Sequence, residues 1–269
     1  MHPSDDVLFV QIGANNLDEI YWGGDKGIPE PRVSYPVNAS APGTDAWAST
    51  AAAFAMGSLA YSGTQWNTSS TAYAPASLAN TKYSQQLLKH AETLYKVANT
   101  TTPQTKFSDS VPDVAAAYAS SGWGDELAVA ALALAAATNN SAYYADAVAW
   151  YTQYGLSGKQ QVWNWDSRSP ALYVLFAEVA AARPGIAAAA GMQVNMTGWQ
   201  AEAERYLDAI VNEKAKNMVM TKGGMVYFDG DSDEASLQPA LGVATLLLRY
   251  APLASSNDKR DSYVVSGVS

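Results

Sequence analysis

The sequence contains no cysteine, and its 269 residues include only two histidines, His2 and His90. Zinc sites, thiol nucleophiles and Ser-His-Asp triads depend on these side chains, so such sites are nearly excluded. Cations are scarce as well, since 16 Lys and Arg stand against 25 Asp and Glu, for a net charge of −9. A nucleic-acid-binding protein needs a basic surface, so nucleic acid is not an expected partner. Carboxylates, tyrosines and backbone groups remain to carry any chemistry.

No run of apolar residues is long enough to cross a bilayer, and the polar first residues do not resemble a signal peptide. Asn-x-Ser/Thr sequons give modest support for secretion and glycosylation, although a chain rich in Ser, Thr and Asn contains several by chance. We expect a secreted, extracellular protein with no membrane segment in this chain. The sequons lie at Asn38, Asn67, Asn99, Asn139 and Asn195.

The stretch from Asp6 to Asp45 shows almost no helical periodicity. Loops of this length are uncommon in compact domains, and those that occur are often functional. This one carries Trp22, two tyrosines and several carboxylates, which are typical of carbohydrate-binding clefts. A Pro-Gly-Thr-Asp turn closes it and caps an alanine-rich helix. We predict that the stretch forms a wall of a binding cleft.

The rest of the chain shows apolar residues spaced by three and four, interrupted by polar, Gly or Pro breaks. The pattern predicts seven helices, at residues 45–60, 83–98, 125–137, 143–154, 170–182, 199–211 and 235–250. Only residues 7–12 and 225–228 resemble strands. Helix pairs joined by loops that carry chemistry indicate an all-α toroid, whereas a solenoid of HEAT type would need a fixed repeat that the sequence lacks. No linker divides residues 1–269, so one domain is expected.

Four segments carry a resemblance to a known family. Residues 7–24 contain VLFVQIG and then LDEIYWGG, similar to V-Q-V-G…D-H-x-Y-W-G, and residues 40–45 read SAPGTD, similar to S-A-P-G-S-D. Residues 121–127 read SGWGDEL, similar to S-G-Y-x-D-E-L, and residues 223–225 form a G-G-M loop. In this order the segments resemble glycoside hydrolase family 9, the inverting endoglucanases, and especially its fungal members. The resemblance implies an incomplete (α/α)6 barrel with long cleft-forming loops, and a β-glucan or cellulose oligosaccharide as the ligand.

Inverting glycosidases need two carboxylates on opposite sides of the scissile bond. The resemblance places the base in a D-A-G-D segment upstream of residue 6 and the acid in an N-E segment well downstream of residue 225. Asn212-Glu213 imitates the acid motif but precedes Gly223, and we expect it inside a helix. Residues 1–269 would then be a partial catalytic domain that lacks both catalytic segments and is inactive alone, with apolar helix faces left exposed. Residues 259–269 resemble an abrupt junction, where relatives continue as a helix.

Aromatic side chains are the candidates for sugar binding, because the C–H faces of glucosyl rings pack on aromatic planes. Trp22, Tyr118 and Trp165 are the predicted substrate-binding residues, and two further tryptophans, Trp123 and Trp163, are also considered. The alternative, that these are core aromatics of a helical scaffold, remains open. Helical spacing favours a core position for Tyr143, Trp150 and Tyr173.

The resemblance also implies a structural Ca²⁺ site, with ligands from Ser121, Gly122, Asp125, Glu126 and Asp166. Hard oxygen ligands on a turn suit calcium. Alternatively, Asp125 and Glu126 only cap a helix, where the helix dipole stabilises carboxylates. The acidic run at residues 229–234 lacks the Gly and Glu of an EF-hand, so we interpret it as a cap for a helix that starts at Ala235.

Three functional hypotheses follow. The first is a partial endo-β-1,4-glucanase domain whose full-length form hydrolyses β-glucan with inversion. The second is a non-catalytic carbohydrate-binding remnant that keeps the stacking aromatics, and the third is a gene-model fragment without activity. The glucan preference, endo or processive action and the oligomeric state stay open.

Overall fold

The computed structural model describes residues 4–63, 78–193, 195–235 and 237–268, so the sequon at Asn67 lies outside the described residues. Eight long helices are named α1 to α8 in chain order. They are α1 (Thr44–Tyr61), α2 (Thr81–Thr100), α3 (Gly124–Thr138), α4 (Ser141–Gln153), α5 (Ser169–Ala182), α6 (Met196–Val211), α7 (Gln238–Tyr250) and α8 (Asn257–Val268). Within the described ranges, no helix combines the length and the apolar character needed to span a bilayer.

Within the part of the chain that the structure describes, the strands form two small antiparallel sheets. β1 (Leu8–Ile12) pairs with β2 (Ser34–Val37), and β3 (Met218–Met220) pairs with β4 (Val226–Phe228). Short helical segments lie at Asn15–Asp18, Phe107–Ser110, Pro112–Ala115, Gly185–Ala189 and Asp231–Ala235, with a 3-10 turn at Ala251–Leu253. The predicted all-α class is confirmed.

The helices pair into four consecutive hairpins, α1–α2, α3–α4, α5–α6 and α7–α8. The first helices of the hairpins stand side by side, with α1 against α3, α3 against α5 and α5 against α7. α3 and α5 are apolar on all sides and almost wholly buried, whereas α2 and α6 are amphipathic and bury one face. Helices of an inner row are covered on all sides and are therefore apolar throughout, whereas helices of an outer row face solvent on one side and are amphipathic.

Asparagine side chains start three of the outer helices. Asn80 accepts a hydrogen bond from the Tyr83 amide (3.0 Å), Asn140 from the Ala142 amide (2.9 Å), and Asn195 from the Gly198 amide (3.0 Å). Each bond satisfies one backbone N–H that the first helical turn leaves unpaired. Between the rows the core is aromatic as well as aliphatic, as in the parallel stack of Phe176 on Trp199 with ring centroids 3.9 Å apart.

All seven predicted helices are present, but the prediction missed α8. Residues 257–268 are helical, so the expectation of an abrupt junction at residues 259–269 is wrong over the described part of that segment. The apolar periodicity of this helix is weak because polar contacts hold it to α6. Lys259 donates to Glu204 (2.8 Å) and Asp208 (2.5 Å), and Tyr263 donates to Asp208 (2.5 Å).

Three further expectations need correction. The opening stretch is more ordered than predicted, because β1, a helical turn and β2 lie within it. Asn212 and Glu213 lie outside a helix: α6 ends at Val211, and Glu213 has a φ of 56° in the following turn. Residues 231–235 form their own short helix, and α7 begins only at Gln238, so the acidic run does not cap a helix at Ala235.

Candidate functional site

A cavity of about 400 Å³ opens where the inner helices begin. Its walls come from β1, from the first turns of α1 and α3, and from the segment that leads into α5. The loops that precede the inner helices therefore meet at one end of the helical row. Among the lining residues are Val10, Asp45, Phe107, Ser120, Glu126 and Trp165.

Asp45 joins α1 to the loop that follows α2. Its Oδ1 accepts hydrogen bonds from the Phe107 amide (2.9 Å) and from the Ala46 amide (2.9 Å). Its Oδ2 is buried and has no hydrogen-bond partner, and burial raises the pKa of the carboxyl group. The prediction that the Pro-Gly-Thr-Asp turn caps the helix through a side chain is wrong, because Gly43 is the N-cap without a side-chain hydrogen bond and Asp45 lies in the first turn of α1.

Tyr118 and Trp165 form an aromatic corner at this cavity. Their ring centroids are 5.5 Å apart and their planes meet at 85°, which is the favoured edge-to-face geometry. The two residues remain 56% and 38% exposed, so both present surface to solvent. The structure thus brings together two residues that the sequence proposed separately.

Trp22 lies in the opening segment and is fully exposed. Two polar contacts stabilise this segment. Arg32 forms an ion pair with Asp18, and the Asn15 side-chain amide donates a hydrogen bond to the Asp113 carbonyl (3.0 Å). The Arg32 hydrogen bond lowers the pKa of Asp18. These contacts hold the strands around Trp22 but place no partner on its ring.

The other two candidate tryptophans belong to the packed interior. Trp123 is partly buried, and its indole N–H donates to the Tyr154 hydroxyl (2.7 Å) and to Gln104 (3.1 Å). Trp163 packs against the core beneath Gly242, where an added Cβ would approach the indole ring to 3.3 Å. Tyr173 is fully buried, as predicted, and Tyr143 and Trp150 are partly buried against the core.

The predicted calcium-binding turn is closely tied to the aromatic corner. The Ser121 amide donates to Asp166 Oδ1 (2.8 Å), and the Arg168 amide donates to Asp125 Oδ2 (2.6 Å). The Gly122 carbonyl accepts a bond from the Ser120 hydroxyl (2.9 Å). The five proposed ligands therefore lie on two segments that hydrogen bonds join.

Glu126 is the unusual member of this turn. It is 3% exposed, and its Oε2 is buried without a hydrogen-bond partner. Burial and the neighbouring Asp125 raise its pKa well above the ordinary value. A divalent cation would relieve both effects, so the acidic pair fits calcium. Among the described residues no three acidic or histidine side chains gather closely enough to hold a metal, so carbonyl and hydroxyl oxygens of Ser121 and Gly122 would have to complete the shell.

A second, polar pocket of about 290 Å³ adjoins this end of the row. Asn164 organises it: its Oδ1 accepts from the Ser167 amide (2.7 Å), and its side-chain amide donates to Asp231. Four of the nine lining residues carry amide side chains, and no sequence motif marked them. They are Gln160, Gln161, Asn164 and Asn217.

Comparison with known proteins connects this geometry to one family. The family model of glycosyl hydrolase family 9 matches residues 1–268. Endoglucanase 2 of Arabidopsis thaliana is 28% identical over 251 residues, which are 93% of this chain and 44% of that protein. Endoglucanase 13 of the same plant is 30% identical over 227 residues, 84% of this chain and 41% of that protein.

The structural comparison gives the same result. The endoglucanase of the termite Nasutitermes takasagoensis superposes with a TM-score of 0.78 at 27% identity, covering 98% of this chain and 53% of that one. The chain therefore spans about half the length of these relatives, which come from plants and a termite, and the resemblance to fungal members stays a prediction. Solved cellulases of this family have the (α/α)6 barrel fold, which confirms the predicted architecture. The four helical hairpins are part of such a barrel, and the chain belongs to glycosyl hydrolase family 9.

Proposed function

We propose that the chain forms part of the glucan-binding cleft of an endo-β-1,4-glucanase, in which Trp22, Tyr118 and Trp165 contact the sugar rings. The observation that carries the proposal is the exposed Tyr118–Trp165 corner beside the cavity at the start of the inner helices. Neighbouring aromatic rings that stay exposed together often mark a ligand-binding surface, and the C–H faces of glucosyl rings pack well on them. Nearby amides such as Gln161 and Asn164 would bond sugar hydroxyls.

Hydrolysis with inversion belongs to the proposal for the whole protein. One carboxylic acid gives its proton to the glycosidic oxygen, while a carboxylate takes a proton from the water that attacks the anomeric carbon from the opposite face. Asp45 and Glu126 line the cavity, but both are buried and Asp45 is occupied by backbone amides. We assign the acid and the base to segments outside residues 1–269.

A structural calcium ion is the second part of the proposal. Ser121, Gly122, Asp125, Glu126 and Asp166 would hold it, and its charge would balance the buried acidic pair. Because the same turn adjoins Trp165, the ion would hold the Tyr118 and Trp165 rings in their relative positions. We also propose that the protein acts outside the cell, in accord with exposed sequon asparagines at Asn139 and Asn195.

Binding of cellopentaose to the purified chain, measured by calorimetry, tests the proposal. Tyr118→Ala and Trp165→Ala should each weaken binding about three- to tenfold, as expected for loss of one aromatic contact. Tyr83→Ala is the matched control, since Tyr83 is an exposed aromatic residue (42%) on the outer helix α2. Equal effects of all three variants, or no binding by the unchanged chain, would contradict the assignment.

The rival function, a carbohydrate-binding module without catalysis, makes a different prediction. It is favoured by the same exposed rings together with the burial of Asp45 and Glu126. A reducing-sugar assay on carboxymethylcellulose tests both functions. The chain alone is expected to be inactive under either of them, so a longer form of the protein is needed to tell them apart. Activity of residues 1–269 would refute the assignment of acid and base to other segments. Activity of a longer form that contains those segments would exclude the binding module.

A further inference from the structure

A groove of about 460 Å³ lies between the outer helices α2 and α4. It shares no lining residue with the cavity at the start of the inner helices, so it is a separate feature of the surface. Its volume is within the range of about 300–1,000 Å³ that small-ligand sites occupy. Among the lining residues are Glu92, Tyr95, Lys96, Asn99, Tyr143 and Asp146.

Hydrogen bonds and one ring contact fix the floor of this groove. The Trp150 indole N–H donates to the Tyr95 hydroxyl (3.2 Å), which in turn donates to Asp146 Oδ2 (2.9 Å). Tyr95 is 2% exposed, and the Tyr143 ring meets it edge to face with the centroids 5.6 Å apart. The Tyr143 hydroxyl donates to Glu92 Oε1 (3.5 Å). A ligand in the groove would therefore meet a preformed surface of aromatic rings and carboxylates.

Asn99 lies on the α2 wall of the groove. Glu92, Lys96 and Asn99 are spaced by four and three residues, which places them on one face of the helix. Asn99 is half-buried, and its side-chain amide has no hydrogen-bond partner among the described residues. With the two threonines that follow, it forms an Asn-x-Thr sequon. The groove therefore contains an acceptor site for N-linked glycosylation.

The other described sequon asparagines lie in different surroundings. Asn38 closes a turn, since its Oδ1 accepts from the Ser40 amide (2.9 Å) and the Ser40 hydroxyl (2.7 Å). Asn195 caps α6, and Asn139 is exposed in the turn after α3 with a φ of 53°. A glycan on Asn139 or Asn195 would extend into solvent, whereas a glycan in the groove would meet a shaped surface from its first sugar onward.

We propose that Asn99 carries an N-linked glycan whose first sugars occupy the groove between α2 and α4. The C–H face of a sugar ring packs on the Tyr143 ring, as sugars do on aromatic planes. The Glu92 and Asp146 carboxylates accept hydrogen bonds from sugar hydroxyls and from the acetamido N–H, and the Lys96 ammonium donates to sugar oxygens. This inference rests on the extracellular location proposed above.

The glycan is transferred from a lipid diphosphate oligosaccharide in the secretory pathway. A bond forms between Asn99 Nδ2 and the anomeric carbon of the first sugar, and the bond from that carbon to the diphosphate oxygen breaks. The lipid diphosphate leaves with the electron pair, and the amide nitrogen gives one proton to a base of the transferase. In the folded chain the Thr101 hydroxyl donates to the Val97 carbonyl (2.7 Å), so transfer precedes closure of the last turn of α2.

Secretion of residues 1–269 behind a leader peptide, from a eukaryotic host that makes high-mannose glycans, tests the proposal. Mass spectrometry of glycopeptides should show a glycan on Asn99, and Thr101→Ala should abolish it. Endoglycosidase H, which cuts between the first two sugars, should act on the native protein about tenfold more slowly at Asn99 than at Asn139 or Asn195. The reason is that the sugars must leave the groove before they are cut. After denaturation the rates should be equal.

Two variants separate docking in the groove from simple crowding around the asparagine. Tyr143→Ala should speed native release at Asn99 about three- to tenfold, the effect expected for loss of one aromatic contact. Lys96→Ala should also speed it and leaves the core untouched, because Lys96 is exposed. Tyr83→Ala, also on α2 but outside the groove lining, should have no effect. Thermal melts followed by circular dichroism check that each variant is folded.

The outcomes also separate this inference from the extracellular location. Glycans on Asn139 or Asn195 together with an unmodified Asn99 would overturn the inference alone. An Asn99 glycan that is released as fast as the others, or at a rate that neither Tyr143→Ala nor Lys96→Ala changes, would show that it does not occupy the groove. No glycan on any sequon would overturn the inference and count against the extracellular location as well.

Discussion

Replacing Arg249 with Met removes one half of an ion pair that joins two inner helices. Glu178 on α5 is 2% exposed, and Arg249 on α7 reaches it with two hydrogen bonds, Nε to Oε1 at 3.0 Å and Nη2 to Oε2 at 2.5 Å. The arginine side chain is 40% exposed. The two partners are therefore unequal, because only the carboxylate is fully withdrawn from water.

This difference in burial determines how much stability each substitution should cost. Arg249→Met leaves a buried carboxylate without its partner, which costs about 3 kcal/mol in the free energy of unfolding at neutral pH. The value is at the low end for buried pairs because the guanidinium is partly solvated. For a chain of this size that is a fall in Tm of about 6–12 °C. Glu178→Gln keeps a hydrogen-bonding group and leaves a solvated arginine, so its cost should stay within about 1 kcal/mol.

The pH dependence follows from the sign of the pKa shift. Burial raises the pKa of Glu178 above its ordinary value of 4.5, while Arg249 opposes the rise. Between the unfolded and folded pKa values the native state binds more protons than the unfolded state, so stability falls as pH increases. Removing Arg249 raises the folded pKa further. The variant should therefore lose little stability below pH 4.5 and the full amount at neutral pH.

Urea unfolding at several pH values measures both effects. The control is Arg260→Met, whose ion pair with Asp261 is exposed on both sides (47% and 65%) and worth at most about 1 kcal/mol. Equal losses for Arg249→Met and Glu178→Gln, or a loss for Arg249→Met that does not depend on pH, would refute the unequal burial on which the reasoning depends.

Three other outcomes are expected. Calcium should raise the Tm of the unchanged chain and tighten cellopentaose binding, and Asp125→Asn should lose both responses; calorimetry with calcium or EDTA checks this. Gly124→Ala should lower the free energy of unfolding by about 1–3 kcal/mol, because the added Cβ would lie 2.3 Å from the Tyr154 ring. Gly185→Ala has open space around the added Cβ and should leave the stability unchanged when both variants are unfolded thermally in the calorimeter. Lys259→Ala removes the ammonium shared by two α6 carboxylates and should increase amide hydrogen exchange in α8 without changing exchange in α3.

The helical scaffold was largely predictable because its signal is local. The apolar spacing within α2 or α6 is visible in the sequence, and all seven predicted helices form. α8 was missed because its attachment is polar: Lys259 and Tyr263 find carboxylates about fifty residues earlier in the chain. Asn212-Glu213 was misplaced because a turn with positive φ follows Val211, which periodicity does not reveal.

The site was predictable in its residue types but not in its arrangement. Tyr118 and Trp165 are 47 positions apart in sequence, and their rings meet through tertiary contacts: α3 packs against α5, and the Ser121 amide donates to Asp166. The burial of Glu126 follows from the same packing, since a carboxylate in the first turn of an isolated helix is ordinarily solvated. The amides around Asn164 carry no motif because hydrogen-bonding pockets use side chains from several loops.

The aromatic corner and the proposed calcium turn are one structural unit. Trp165 directly precedes Asp166, whose carboxylate accepts the Ser121 amide, and Ser121 lies three residues after Tyr118. The hydrogen bond therefore spans the two segments that present the two rings. Glu126 belongs to the same turn, five residues after Ser121, and burial together with the neighbouring Asp125 raises the pKa of its carboxyl group. Under the proposed function, a cation bound at this turn would therefore influence sugar binding by holding the two rings in position, without contacting the sugar.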